Sequence, residues 1–332
     1  MKNILLVATG GTIASGKSSE GLTPKIDSDQ LLKYVPEVKE FCHVTAYQLL
    51  NIDSSNIQPE DWIEISKYIA KHYEEYDGFV ITHGTDTMSY TAAMLSYLIQ
   101  RADKPIVITG AQKPIDFDIS DGRMNLRDAI RFACFGSNGI HVVFNGKAIL
   151  GTRARKIKTK SYDAFASINY PYAAYIDGNR ITKYVSKKND EGDVYFYNDL
   201  HPNVFLLKLA PGMKPDVIDY ISDDYDAIVI ESYGSGGIPF SDKRNFLEKL
   251  ANASSKGKII VIATQVMEEG SDAGVYKVGK LAMNYPILQA YDMTIEASIT
   301  KLMWILAQTK EFEEVRELFY KNIHEDILYT LD

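Results

Sequence analysis

Two short segments crowd hydroxyl groups against glycines: Thr9-Gly10-Gly11-Thr12 and His83-Gly84-Thr85-Asp86-Thr87. Each follows an apolar run, so each falls where a strand of a parallel sheet ends, and ligands of such sheets bind outside those ends. A threonine hydroxyl is a weak nucleophile and needs a base to take its proton. A threonine followed by a carboxylate, beside a second exposed threonine, fits amide chemistry. Lys156, in Thr152-Arg153-Ala154-Arg155-Lys156, is a candidate to take the proton. Composition alone favours a plainer role for it, in a solvated basic cluster with Arg153, Arg155, Lys158 and Lys160. Thr85 or Asp86 is equally a helix cap, the usual role of those residues at a helix start.

The first segment also matches a phosphate loop. Gly11 to Ser18 fit G-x-x-x-x-G-K-S letter for letter. That loop requires Lys17-Ser18 to open a helix whose N–H groups hold phosphate. Here Ser19-Glu20-Gly21-Leu22-Thr23-Pro24 follows, and Gly21 and Pro24 break any helix. The phosphate-loop reading is therefore set aside. Taken alone, the turn is best explained as structural, with Gly10-Gly11 allowing positive φ.

The elements that must position these turns are legible as short apolar runs alternating with amphipathic stretches. Ile4 to Ala8, Phe79 to Thr82, Pro105 to Thr109, His141 to Phe144 and Ala148 to Leu150 are predicted strands. The lack of polar alternation marks most of them as buried on both faces. Pro59 to Tyr76, Thr85 to Gln100 and Asp121 to Phe135 are predicted helices; in the first, Trp62, Ile65, Tyr68 and Ile69 make one apolar stripe. Residues 183–202 are polar and turn-rich, a connecting segment. Beyond it come strands Val204 to Leu209, Ala227 to Ile230 and Lys258 to Ala263. Helices are predicted near Lys214 to Ile221, Lys243 to Asn252, Thr294 to Gln308 and Glu311 to Tyr320. The pattern predicts two α/β domains, each a doubly wound parallel sheet. The larger, 1–182, carries the threonine turns, and the smaller is 203–332. Further strand-end turns are Asp53-Ser54-Ser55, Gly110 to Lys113 and Tyr233 to Gly237.

The chain has 332 residues, 45% hydrophobic and 24% charged, which excludes wholesale disorder. Its net charge of −8, without a basic block, argues against nucleic acid as a partner. Cys42 and Cys134 make neither a disulfide framework nor a metal pattern, and their apolar neighbours predict small core residues. The apolar run after Met1-Lys2-Asn3 is too short for a secretory signal, and no stretch approaches the ~20 residues of a membrane span. A cytoplasmic location is expected, with no membrane partner.

On these motifs the chain resembles bacterial L-asparaginases, specifically the cytoplasmic type I group. The resemblance rests on Ala8-Thr9-Gly10-Gly11-Thr12-Ile13 and on Gly78-Phe79-Val80-Ile81-Thr82-His83-Gly84-Thr85-Asp86-Thr87-Met88. Asp53-Ser54-Ser55, Thr109-Gly110-Ala111-Gln112, Lys156 ahead of Asp163 to Ser167, Ser232-Tyr233-Gly234 and Asp292 to Ala297 extend it over nearly the whole chain. It implies asparagine hydrolysis to aspartate and ammonia, with Thr12 as nucleophile through an acyl ester. Thr85, Asp86 and Lys156 are implied as the second catalytic group, with Lys156 moving protons. Main-chain N–H groups near Thr12 and Thr85 are implied as the oxyanion site. Gly11, Asp53, Ser54, Ser55, Thr85, Asp86 and Ala111 are implied to bind substrate. No metal or organic cofactor is implied, and none of the six histidines has zinc-type spacing. His83 is expected to be a structural donor beside the site. A homodimer or homotetramer, with a second subunit completing the site, is also implied.

Departures from the pattern accompany the resemblance. Gly21-Leu22-Thr23-Pro24 stands where many relatives carry an activating tyrosine, leaving Thr23, Ser15, Ser18 or a water to assist Thr12. Gly237 stands where relatives often have an asparagine. Some type I members bind a second asparagine as effector; Arg155, Glu231 and Val266 occupy the three diagnostic places, and Glu231 puts an anion where a cation would meet the effector's carboxylate. A hyperbolic rate curve is expected. The competing functions are a dual glutaminase–asparaginase, since one methylene is worth only ~1–3 kcal/mol of discrimination, and a non-catalytic amino-acid sensor, against which the intact threonine and lysine set argues. Amidotransferase relatives carry an extra N-terminal domain, whereas this chain begins at the strand before Thr12, which disfavours that function.

Overall fold

Continuous apolar runs form strands only where both faces are covered, and the first sheet is built around such strands. The structure, a computed structural model, describes residues 1–18, 21–24, 26–185, 192–272, 274 and 285–329, with backbone alone at 17, 18 and 21–24. It divides into two units, Met1–Asn198 and Asp199–Asp332.

The main sheet of the first unit contains β1 (Lys2–Gly10), β2 (Cys42–Ile52), β3 (Gly78–Thr82), β4 (Pro105–Thr109), β5 (Gly139–Phe144), β6 (Lys147–Leu150), β7 (Ala174–Asp177) and β8 (Arg180–Lys183). Their order across the sheet is β8-β7-β6-β5-β4-β3-β1-β2. From β2 to β5 all neighbours are parallel. The last three strands are antiparallel additions to this mainly parallel sheet. The cause is local. Phe144 pairs with Lys147 across Asn145-Gly146, both at positive φ (50° and 71°), the turn that matches strand twist in a two-residue hairpin. Asp177 pairs with Arg180 across Gly178-Asn179, a second two-residue hairpin in which only Gly178 takes positive φ (56°).

Helix α1 (Pro59–His72) carries the predicted stripe, with Trp62, Ile65 and Ile69 buried. Helix α2 is Met88–Leu98 and α3 is Gly122–Phe135. One sheet face, with Ile4, Leu6, Val80, Val107 and Val143, packs with Leu126, Ala129, Ile130 and Phe132 of α3 into a single core. Cys42 and Cys134 are both free thiols buried in it. The sequence-predicted helix from Thr85 begins instead at Met88, and Ile99–Gln100 turns extended to pair with Tyr195–Phe196. Part of the predicted connecting segment therefore belongs to the first unit.

The main sheet of the second unit has four strands, β9 (Val204–Lys208), β10 (Ala227–Ser232), β11 (Ile259–Thr264) and β12 (Ile287–Gln289), all parallel and in sequence order. Helices α4 (Val217–Asp224) and α5 (Phe246–Ser255) pack on the face bearing Ile228, Ile230, Ile260 and Ile262. Helix α6 (Ile295–Leu306) packs against β9 and β10, and α7 (Phe312–Tyr320) against α6. Lys301 of α6 and Asp326 form a fully buried ion pair at 2.7 Å. Among the described residues no helix is long and apolar enough to cross a membrane.

Candidate active site

Strand order decides where a parallel sheet opens a crevice. The chain leaves β1 for β2 on one side, then returns to β3, β4 and β5 on the other, so the order reverses at β1. A ligand crevice lies at such a reversal, beyond the carboxyl ends of the strands. The turns after β1, β2 and β3 hold Thr12, Asp53 and Thr85, so the reversal gathers the predicted residues.

Glycine backbone closes the gap between these turns. Gly11 (φ 79°) lies so near Gly84 that a Cβ on it would sit 2.4 Å from the Gly84 nitrogen. A Cβ on Gly84 would sit 2.4 Å from Ser54 Oγ. Three turns are thereby pressed together, Gly11 against the Gly84 main chain and Gly84 against the Ser54 side chain, at distances that leave no room for a Cβ. Thr12, partly exposed, opens a 3₁₀ turn (Thr12–Ala14) in which Ala14 N–H donates to the Gly11 carbonyl at 3.1 Å. The Ser15 hydroxyl donates to that same carbonyl at 3.0 Å, so its proton is already engaged. Ser18 and Thr23, the other candidate activators, have side chains outside the described residues. Their backbone settles the phosphate-loop match: Lys17 and Ser18 lie in a strand paired with Gly21–Pro24, not at a helix start.

Thr85 and Asp86 are not caps. Lys156 Nζ donates to Thr85 Oγ1 at 2.7 Å and to Asp86 Oδ1 at 2.7 Å. Lys156 ends a short strand (Ala154–Lys156) paired with Phe165–Ser167, and not a loop as its sequence suggested. Its side chain is only 16% exposed, against 44% for Lys158, and Arg153 is fully buried over the Tyr170 ring. The solvated-cluster alternative therefore fails for Lys156. Asp86 itself is 68% exposed, leaving its carboxylate room to meet a ligand as well as Lys156.

Asp53 Oδ1 accepts from Ser55 N–H at 2.8 Å and Ser55 Oγ at 2.7 Å, capping the turn Ser54–Asn56. The Ser55 hydroxyl and N–H hold the Asp53 carboxyl below the usual carboxylate range, so it stays charged. Ser54 is buried, and its carbonyl accepts from Thr87 Oγ1 at 2.7 Å, tying this turn to the threonine turn. The other predicted binding residues, Gly11 and Ala111, are held by main chain and by packing. Gly11 N–H donates to the Ile52 carbonyl at 3.1 Å and is spent on positioning. The Ala111 methyl lies in the apolar core, which leaves only its main chain for a substrate.

His83 is fully buried. Its Nδ1 lies 2.7 Å from the Gly84 carbonyl, which can only accept, so Nδ1 carries the proton. Nε2 then accepts from Thr91 Oγ1 at 2.9 Å, and Thr91 in turn accepts from Trp62 Nε1 at 2.8 Å. Burial pushes the imidazole down to about 4. It is a neutral strut under the threonine turn.

The sequence places Gln112 in a strand-end turn without giving it a role, and it does not point to Asp121 as a member of this network. Gln112 Oε1 accepts from Thr85 Oγ1 at 3.3 Å. Asp121, 2% exposed, receives the N–H groups of Gln112 and Lys113 and the Asn125 amide. Burial pushes its carboxyl up, and those donors pull the other way. An aspartate at the start of a predicted helix is the available signal, but it reads as an ordinary cap. Among the described residues no group of three or more His, Cys, Asp or Glu side chains is placed to hold a metal ion.

An α/β unit with a partly exposed threonine at its switch point, beside a threonine–lysine–aspartate chain, is equipped for acyl transfer through a hydroxyl. The chain belongs to the asparaginase/glutaminase family: the model for the N-terminal asparaginase domain matches residues 3–189, and that for the glutaminase/asparaginase C-terminal domain matches 203–319. An L-asparaginase of Thermococcus kodakarensis is 40% identical over 325 residues, 98% of each chain. A solved thermostable L-asparaginase from that organism matches with TM-score 0.94 at 39% identity, covering 99% of this chain and 100% of that one. A structure described as a probable cytoplasmic L-asparaginase from Campylobacter jejuni gives 0.81 at 29% identity, covering 97% and 100%. A glutamyl-tRNA(Gln) amidotransferase subunit of Pyrococcus furiosus is 34% identical over 336 residues, 97% of this chain and 76% of that one.

Proposed function

We propose that the chain is an L-asparagine amidohydrolase of the cytoplasmic type I kind, working through a threonine-bound acyl intermediate and without metal or organic cofactor. Thr12 Oγ adds to the side-chain amide carbon; the Lys156 ammonium gives a proton to the departing ammonia, and the Thr12 hydroxyl proton restores it. Water, handled by Thr85 and Lys156, then cleaves the ester to aspartate. Asp53, Ser54, Ser55 and Asp86 hold the α-amine and α-carboxylate, while main-chain N–H groups near Thr12 and Thr85 steady the oxyanion, commonly the strongest electrostatic aid to acyl transfer. The observation that carries the reading is the pair of 2.7 Å bonds from Lys156 to Thr85 and Asp86, on the turn that Gly84 presses against Gly11, the residue before Thr12. The full-length similarity to proteins named L-asparaginase supports the same substrate, and the Campylobacter jejuni relative supports the location. We further propose a homodimer or homotetramer.

The similarity to an amidotransferase subunit keeps a dual glutaminase–asparaginase in play. Ammonia release with asparagine, with glutamine and without amide decides. Asparagine turnover at least tenfold above glutamine is expected, the order that one methylene supplies. Equal rates assign the dual activity, and no release from either amide refutes the hydrolase reading.

A further inference from the structure

We propose that Gln112 is a positioning residue that aims the Thr85 hydroxyl; the proposal rests on the roles of Thr85 and Lys156 given above. A threonine hydroxyl has one proton and two lone pairs, and it rotates to suit its neighbours. A lysine ammonium has donors only. With Lys156 charged and 2.7 Å from both Thr85 Oγ1 and Asp86, it donates to Thr85 and cannot receive from it. The Thr85 proton must point elsewhere, and Gln112 Oε1 takes it at 3.3 Å.

The orientation of the Gln112 amide follows from its other end. Nε2 lies 3.1 Å from the Ser161 carbonyl and 3.4 Å from the Lys158 carbonyl. Carbonyls only accept, so that end is the NH₂ and the oxygen must face Thr85. The main chain is held as firmly. Gln112 N–H donates to both Asp121 oxygens at 2.9 and 3.1 Å, and Lys113 N–H to one of them at 3.1 Å. Asn125 Nδ2 donates to Asp121 at 3.2 Å and to the Gly110 carbonyl at 2.9 Å, fixing the carboxylate against α3. A continuous chain therefore runs from a buried carboxylate through Gln112 to the Thr85 hydroxyl, Lys156 and Asp86.

In the resting state Gln112 parks the Thr85 proton away from Lys156 and leaves a Thr85 lone pair turned toward the ammonium. Once Lys156 has given a proton to the departing Thr12 oxygen, the Thr85 hydroxyl rotates toward Nζ without moving its oxygen and passes its own proton to Nζ as it takes one from the attacking water. Gln112 contacts neither Thr12 nor the Asp53–Ser55 turn among its hydrogen-bond partners. Its loss should therefore slow the chemical step and spare substrate binding.

The test is a double-mutant cycle of parent, Gln112→Met, Thr85→Ala and the double variant, with kcat and KM for asparagine and a thermal unfolding curve for each. Methionine keeps the length and removes the acceptor. Expected are a roughly tenfold fall in kcat for Gln112→Met, the order of one oriented hydrogen bond, and a KM within about twofold. Expected too is no further fall when Gln112→Met is added to Thr85→Ala, because no hydroxyl is left to aim. If Gln112→Met does not fold, Gln112→Asn, one methylene shorter, withdraws the acceptor and is read by the same cycle. A parental kcat in the single variant overturns the proposal, as does the same tenfold loss in the Thr85→Ala background, the signature of a mere tether to the 158–161 carbonyls. A parent without asparaginase activity, or a Thr85→Ala variant with full turnover, overturns the site assignment itself and the proposal with it.

Discussion

Replacing Lys156 by methionine separates chemistry from packing, because the proposed proton transfer and the packing fall to different parts of one side chain. The stem is buried and methionine refills it, while Nζ makes the two 2.7 Å bonds to Thr85 and Asp86. Asp86 is 68% exposed and stays hydrated when its partner goes, so the ion pair contributes at most ~1 kcal/mol. Thr85 Oγ1 loses one donor, worth ~1 kcal/mol more. In the first unit, Met1–Asn198, a cost of ~1–2 kcal/mol lowers Tm by roughly 2–8 °C. Loss of a proton-transfer group lowers turnover ~10²–10⁴-fold, which is ~3–5 kcal/mol of barrier. Activity should thus fall by much more free energy than stability does.

Lys158→Met is the matched control. Lys158 is 44% exposed and pairs with Asp163 at 3.1 Å, and Asp163 keeps Lys147 at 2.6 Å after the change. The Lys158 carbonyl that receives Gln112 Nε2 is main chain and is untouched by the substitution. Turnover within about twofold of the parent is expected, as for a surface pair. Ammonia release at saturating asparagine and thermal unfolding in the same buffer give both quantities. Equal and mild effects of the two substitutions would refute the reasoning and return Lys156 to the basic cluster.

Three further outcomes are expected. Thr12→Ala should lose several orders of magnitude in turnover with Tm nearly unchanged, since the turn is held by main chain at Gly11 and Ala14 and Thr12 is partly exposed; near-parental turnover rules it out as nucleophile. The unfolded chain protonates His83 below about 6.5, while the folded one resists until about 4, so the unfolded state binds more protons in that window and stability falls as pH drops through it, by up to ~3 kcal/mol. His83→Gln should flatten that fall in urea unfolding from pH 7 to 4.5; parallel curves for parent and variant would refute the assignment. Rate against asparagine concentration should be hyperbolic, because Glu231, buried with Lys208 3.9 Å away, presents an anion to an effector's carboxylate, a swing of ~2 kcal/mol against a cation there. A sigmoidal curve flattened by substituting Arg155 or Glu231 contradicts it.

Strands covered on both faces announced themselves in the sequence. Ile4 to Ala8, Phe79 to Thr82 and Pro105 to Thr109 have no wet face, so their residues are uniformly apolar and uniformly buried. The edge strand Cys42–Ile52 escaped notice for the opposite reason. Its first six residues alternate in exposure, and polar His43, Thr45 and Gln48 break the run. Asn145-Gly146 carried the strongest short-range hairpin signal, and weighing it would have put β6 antiparallel to β5. At the site, residue types nominated Thr12, Thr85 and Asp86. They could not choose among five basic residues between Arg153 and Lys160. Strand pairing with Phe165–Ser167 makes that choice, and such pairing is invisible in composition.

What sequence conveys least is which backbones touch. Gly10, Gly11 and Gly84 each announce a permissive turn, yet nothing in their spacing says that Gly11 abuts Gly84 or that Gly84 abuts Ser54. The contacts are nonetheless the reason for the residue type. A Cβ at Gly84 would fall 2.4 Å from Ser54 Oγ and 2.6 Å from Ser54 Cβ, and one at Gly11 2.5 Å from Gly84 Cα. Relief at any of these points moves one strand-end turn away from the next, and displacing reacting groups by about 1 Å costs on the order of 10²-fold in rate. The glycines therefore fix distance, keeping the turn that bears Thr12 against the turn that bears Thr85.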